Sequence, residues 1–199
     1  MSFTAVILAG GRSSRMGRDK SGLLYEGQTW LARQLNVVQA AGASEILVSG
    51  RPDRDDSRLG FKVLTDVFPD GGPVSGIHAA LQAARHPSVL VLAVDMIGVS
   101  AEFLIRLQGQ LAGLPGGVPR IQGRLEPLVA WYPRQGKEWL GRQLAASAGT
   151  APVLGAQVFA RWCVEQGWSR YLDLPAADLG HFANWNTPDE AVAGGGIGF

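Results

Sequence analysis

Apolar residues along the chain fall into two rhythms: short uninterrupted runs, and longer stripes at helical spacing. The run at residues 4–8, TAVIL, predicts a buried strand. Over residues 30–41, Trp30, Leu31, Leu35, Val37 and Val38 share one face of a helix that Gly42 ends. A second strand is predicted at 45–49, stopped by Gly50 and Pro52, and a short third at 62–64. Gly71-Gly72-Pro73 introduces a helix over 74–84, with proline suited to the first turn. The run VLVLAV at 89–94 is apolar on both faces. Ser100 can cap a helix running to about residue 111, with Glu102 placed to favour its dipole. The second half is less regular. A strand is predicted at 128–132, helices at 137–146 and 157–166, and short strands at 171–174 and 182–185.

Strands buried on both faces and separated by helices predict an α/β fold, a three-layer sandwich with a mostly parallel central sheet. Ligands of such sheets bind beyond the carboxyl ends of the strands. The residues that follow Leu8, Val48, Leu64 and Val94 are therefore expected to share one site. No repeat or linker divides the chain. One domain is expected over residues 1–192, followed by a flexible glycine-rich tail at 193–199.

The segment after the first strand carries the clearest chemistry. It reads LAGGRSSRMGRDK, with Gly10 and Gly11 followed by four cations, Arg12, Arg15, Arg18 and Lys20, within nine residues. Glycines let a ligand approach the backbone, whose N–H groups can hold an anion. Arginine matches phosphate with paired donors, and lysine acts as a point charge. A Walker loop is excluded, because five residues separate Gly11 from Gly17 and Arg18 follows. The dinucleotide fingerprint G-x-G-x-x-G is absent as well. The plain alternative is a strand-to-loop turn with solvated cations.

Asp95 directly follows the buried run at 89–94. A carboxylate there could hold Mg2+, which takes oxygen ligands and keeps waters and substrate phosphates; a turn or capping aspartate is the alternative. Asp66 follows the third strand in the same way. Gly123-Arg124-Leu125-Glu126-Pro127-Leu128 is a turn with proline at a strand start. Asn184 and Asn186 flank one residue, so on an extended segment both amides point the same way, while Thr187 and Pro188 suit a helix start. His78, His86 and His181 are scattered and lack ligand spacing. Cys163 sits among Phe159, Trp162 and Val164, which suggests a buried structural thiol.

Composition narrows the partners. A net charge of +1 argues against bulk nucleic-acid binding, so the local cations suit a small anionic ligand. Hydrophobic residues at 46% and charged residues at 18% fit a soluble globular protein. One cysteine permits no internal disulfide, and no His/Cys cluster suggests zinc. No signal peptide and no membrane-spanning run are visible, so a cytoplasmic location is the expectation.

With these residues in hand, LAGGRSSRMGRDK resembles the signature L-A-G-G-x-S-x-R-M-G-x-D-K of molybdenum cofactor guanylyltransferases. These belong to the Rossmann-like, GT-A-like nucleotidyltransferases. Relatives that use CTP tend to carry Ala-Ala-Gly where this chain has Ala9-Gly10-Gly11. Gly71–Gly76 resembles the family's G-P-L-x-G, residues 123–128 its G-x-x-(E/H/Q)-P-L/T, and residues 184–190 its N-x-N-T-P-E/D-D/E. Two departures stand out. Ser49-Gly50-Arg51 replaces an asparagine-rich N-A-N-R, and Asp95-Met96-Ile97 lacks the proline of Asp-x-Pro. The resemblance implies Mg2+-dependent transfer of GMP from GTP to the terminal phosphate of molybdopterin, releasing pyrophosphate. It assigns catalysis to Arg15, Lys20 and Asp95, with Asp95 also the metal ligand. Leu8, Ala9, Gly10, Gly11, Lys20, Arg51, Asp66, Gly72 and Asp95 would bind the nucleotide. Glu126, Pro127, Asn184 and Asn186 would bind the acceptor. Transient contact with proteins that deliver or accept the cofactor is implied, with no nucleic acid and no membrane. Two alternatives stay open: another nucleotide or acceptor, such as CTP, a sugar phosphate or cobinamide phosphate, or a GTP-binding relative without turnover.

Overall fold

Strand β1 (Thr4–Leu8) is buried along its whole length because it lies near the middle of a sheet covered on both faces. The computed structural model describes residues 2–9, 24–25, 27–50, 61–65, 68, 71–147 and 154–182. A small antiparallel hairpin, β2 (Leu24–Tyr25) and β3 (Gln28–Thr29), leads into α1 (Trp30–Ala40). Thr29 caps α1, its side chain accepting from the Ala32 N–H at 3.2 Å. Gly42, at φ 85°, takes the left-handed backbone just beyond the helix end. The chain continues through β4 (Glu45–Gly50), β5 (Lys62–Thr65), α2 (Pro73–Ala83), β6 (Ser88–Ala93) and α3 (Ala101–Gly109). It then forms β7 (Gly116–Ile121), β8 (Arg124–Leu125), β9 (Val129–Pro133), α4 (Lys137–Ser147), α5 (Ala156–Glu165) and β10 (Ser169–Leu174). A 3-10 helix, Ala176–Phe182, follows.

The strands order as β10-β7-β9-β6-β1-β4-β5, with β8 beside β7. The pairs β1–β4, β1–β6, β4–β5 and β7–β10 are parallel. Strand β9 runs antiparallel to both β6 and β7. Side chains alternate across the sheet with the period of two that strands impose. Ile7, Leu90, Leu92 and Trp131 pack with Trp30, Leu31 and Val38 of α1 and with Phe103, Leu104 and Leu107 of α3. Val6, Val89, Val91 and Tyr132 pack on the other face with Val74, Ile77 and Leu81 of α2, Leu140 and Leu144 of α4, and Phe159 and Cys163 of α5. The expected three-layer sandwich with a mostly parallel sheet is the observed architecture.

The expected elements of the first half stand within about two residues of their places. Strand β7 has no counterpart in the sequence reading, because two glycines and a proline occupy its six positions. The glycines are there for space: a Cβ on Gly116 would overlap Ser169 Oγ, and one on Gly117 would overlap Leu111 Cδ2. The strand expected at 182–185 is not seen at its first residue, since Phe182 closes the 3-10 helix against the Phe103 ring. Residues 183–185 and the tail at 193–199 lie outside the described residues. Among the described residues no helix is long and apolar enough to cross a membrane.

Candidate active site

The parallel strands β1, β4, β5 and β6 all end on one edge of the sheet, at Leu8, Gly50, Thr65 and Ala93. In register, Leu8 lies between Ser49 and Ala93. The Ala9 N–H donates to the Ser49 carbonyl at 2.8 Å, and the Val94 N–H donates to the Leu8 carbonyl at 3.2 Å. The end of β1 is thus fixed between its two neighbours where it leads into Gly10. Because β9 is reversed, its start also lies on this edge, and the Ala93 N–H donates to the Leu128 carbonyl at 2.9 Å. One edge therefore carries Leu8, Ala9, Asp95 and the 126–128 loop.

Helix α2 begins over the same edge. A Cβ on Gly76 would stand 2.6 Å from Ser49 Oγ and 3.0 Å from Leu8 Cδ2, so α2 approaches the ends of β1 and β4 as closely as a helix without that side chain can. Gly72, at φ 64° and ψ −154°, holds the N-cap in a conformation that L side chains rarely adopt, and no side chain caps the helix. A helix start of this kind favours an anion.

Asp95 is partly buried at the end of β6, in a loop made of two tight turns. The Met96 N–H donates to the Ala93 carbonyl, and the Val99 N–H to the Met96 carbonyl, both at 3.2 Å. Met96, Ile97 and Val99 are buried in the α1/α3 core. The three carbonyls after Asp95 meet side chains from elsewhere. Gln34 Nε2 donates to Met96 O at 2.8 Å, and Arg33 Nη2 donates to Ile97 O at 2.9 Å. His181 Nδ1 lies 2.8 Å from Gly98 O, with its ring stacked on Phe103 at 4.0 Å. These contacts hold the loop in which Asp95-Met96-Ile97 lacks the proline.

On the other side of the edge, β7 turns into β8 through Gln122 at φ 48° and Gly123 at φ 78°, a pairing suited to a tight hairpin. The Glu126 N–H donates to the Pro119 carbonyl at 2.9 Å, and the buried Tyr132 hydroxyl donates to the Pro127 carbonyl at 2.8 Å. Burial pushes the Glu126 carboxyl above its usual range, against the opposing pull of the Arg124 cation. Nearby, Arg120 grips Asp173 on β10 with two donors, at 2.6 and 2.8 Å, while lying over the Tyr171 ring.

Of the residues expected at the site, Leu8, Ala9, Asp95, Glu126 and Pro127 meet on this edge, and Gly72 begins the helix packed over it. Gly10, Gly11, Arg15, Lys20, Arg51, Asp66, Asn184 and Asn186 lie outside the described residues. Gln34, Arg33 and His181 are the additions. The one sequence signal for Gln34 is a polar residue inside the apolar stripe of α1, between Leu31 and Leu35. Among the described residues no three metal-ligating side chains are gathered. A single partly buried carboxylate at a strand end still fits magnesium, which needs one or two carboxylates and completes its shell with water and phosphate. Two other groups stand apart from the edge. His78 is buried between α2 and α4, where burial lowers its pKa, and burial pushes the Cys163 thiol well up, as suits a structural residue.

The family described as "MobA-like NTP transferase domain" matches residues 5–161. A protein of Opitutus terrae named "Probable molybdenum cofactor guanylyltransferase" is 33% identical over 191 residues, covering 94% of this chain and 92% of that one. The molybdenum cofactor guanylyltransferase of Xanthomonas euvesicatoria is 31% identical over 190 residues, with coverage of 94% and 92%. In structure, the chain superposes on molybdopterin-guanine dinucleotide biosynthesis protein A from Archaeoglobus fulgidus with a TM-score of 0.72. That likeness covers 96% of this chain and 95% of the other at 24% identity, and it bears on the fold.

Proposed function

We infer the reaction from the premise that this chain belongs to the MobA-like NTP transferase family and is a nucleotidyltransferase. It is a molybdenum cofactor guanylyltransferase: it transfers GMP from GTP to the terminal phosphate of molybdopterin and releases pyrophosphate. The observation that carries this reading is the convergence on one sheet edge of Ala9, which leads into the glycine-cation segment, and Asp95.

In the reaction an oxygen of the acceptor phosphate forms a bond to the α-phosphorus of GTP while the bond to the bridging oxygen breaks. Pyrophosphate leaves with that electron pair. No protein nucleophile is needed, so catalysis rests on placement and charge stabilisation. Gly10 and Gly11 would admit the nucleotide to backbone contact, and Arg15 and Lys20 would neutralise the triphosphate and the leaving pyrophosphate. The start of α2 at Gly72 would add a favourable dipole. Residues 8–10, Arg51 and Asp66 would read the base. Glu126, Pro127, Asn184 and Asn186 would face the acceptor. A divalent cation, which we take to be Mg2+, would be held by Asp95 and would supply positive charge to the phosphates. The contacts that hold residues 96–98 weigh against a relative without turnover.

The test pairs Lys20→Ala with Asp95→Asn. Lys20→Ala should lose most GMP transfer while melting as the parent does, and near-parental transfer would remove its assigned role. Asp95→Asn should abolish the magnesium response; an unchanged magnesium titration places the cation elsewhere. Comparing GTP with CTP, ATP and UTP checks the base.

A further inference from the structure

We propose that Gln34 is a positioning residue that, with Arg33 and His181, sets the Asp95 loop for cation binding; the proposal rests on Asp95 being the cation's carboxylate. Gln34 is fully buried, and its Nε2 donates to Met96 O, the carbonyl immediately after Asp95. That carbonyl already accepts from the Val99 N–H, so Gln34 fills its second lone pair. Arg33, the neighbouring residue on α1, reaches the next carbonyl with Nη2 and, at 3.3 Å, with Nε. His181 approaches the third from the Ala176–Phe182 segment, with its protonated Nδ1 donating, since a carbonyl only accepts. That segment is itself tied to α3 by Arg106 and Asp178 at 2.7 Å. Three consecutive peptide planes are therefore oriented by side chains from two separate elements. Asp95 stands just before them, inside the turn closed by Met96 N–H and Ala93 O.

The other end of Gln34 indicates what the residue is for. Among the described residues its Oε1 has no hydrogen-bond partner, although it is buried. A buried acceptor without a partner is a cost that an apolar side chain of the same length would not carry. The cost of the orphaned oxygen stands against the gain of the Nε2 bond, so stability gives the amide little advantage over methionine. The amide is accounted for by what its N–H does to the loop, in the way that outer contacts orient a metal ligand.

The test is Gln34→Met, with Arg33→Met as a second variant and Asp95→Asn alongside. Four quantities are read: melting temperature, amide exchange of residues 95–99 in the metal-free protein, Mn2+ binding with GTP by electron paramagnetic resonance, and the magnesium concentration for half-maximal GMP transfer. Gln34→Met should melt within about 3 °C of the parent. Its Met96 and Val99 amides should exchange about tenfold faster. Mn2+ binding should weaken by about tenfold, and the magnesium requirement should rise in step. Exchange like that of the parent, or Mn2+ binding within about twofold of it, overturns the positioning role. The metal reading fails separately, if Asp95→Asn leaves Mn2+ binding intact.

Discussion

Two glycines that meet across the site loop should respond in opposite ways to the same added methyl group. In Gly98→Ala the new Cβ would overlap the Gly180 carbonyl oxygen and stand 3.3 Å from both Cα and O of His181. These are backbone atoms, so no side-chain rotation relieves the contact, and the 96–99 loop must part from the 176–182 segment. Overpacking of this kind costs about 2 kcal/mol. Loss of the hydrogen bond between His181 and Gly98 adds about 1 kcal/mol. At about 3 °C per kcal/mol for a chain of this length, roughly 3 kcal/mol lowers the melting temperature by about 9 °C. Gly180→Ala is the control. Nothing lies within 4 Å of its Cβ, it is exposed, and its φ is not among the positive values. Alanine there should be neutral or stabilise by about 0.5 kcal/mol through the unfolded chain. Thermal unfolding followed by circular dichroism reads both, and GMP transfer by Gly98→Ala should fall as the loop shifts. A Gly98→Ala melting temperature within about 2 °C of the parent, or an equal loss in Gly180→Ala, would refute the packing inferred at this contact.

Glu126→Gln should stabilise the protein at neutral pH. The folded carboxyl is raised above the ordinary 4.5, so the folded state holds more protons just above that pH and stability falls as pH rises through the window. The variant should flatten that slope in melting temperature against pH, and an unchanged slope would show that Glu126 does not cause it. Gly72→Ala places a side chain at φ 64° and ψ −154°. It should cost about 2 kcal/mol and lower the melting temperature by about 6 °C. A variant that melts with the parent would mean that the N-cap of α2 is not held in that conformation.

Strands β1 and β6 and helix α1 were legible because burial on both faces or on one stripe leaves a direct mark on residue order. The rule that ligands meet strand ends then placed Leu8, Ala9 and Asp95 together. Strand β7 was hidden because Gly116 and Gly117 answer to Ser169 and Leu111, which are distant in the chain. The reversal of β9 was equally silent, since an apolar strand reads the same in either direction. The contacts on the Asp95 loop cross 62, 64 and 83 residues and end on backbone carbonyls. No spacing rule links a side chain to a carbonyl so far away, and only the polar interruption at Gln34 in an apolar stripe hinted at it.

The sheet that carries the site also seats its two walls on different cores, with the bond from the Ala93 N–H to the Leu128 carbonyl as the link between them. The Asp95 loop leans on α1, α3 and the Ala176–Phe182 segment, on one face. The Pro127 loop is tied to Tyr132, whose ring stacks on Phe159 at 5.0 Å, on the opposite face. Substitutions that share no partner combine nearly additively. Divergence among descendants of this chain could therefore remodel one wall while the opposite wall keeps its packing. A central sheet two cores deep in this sense gives an enzyme of this plan room to change one wall at a time.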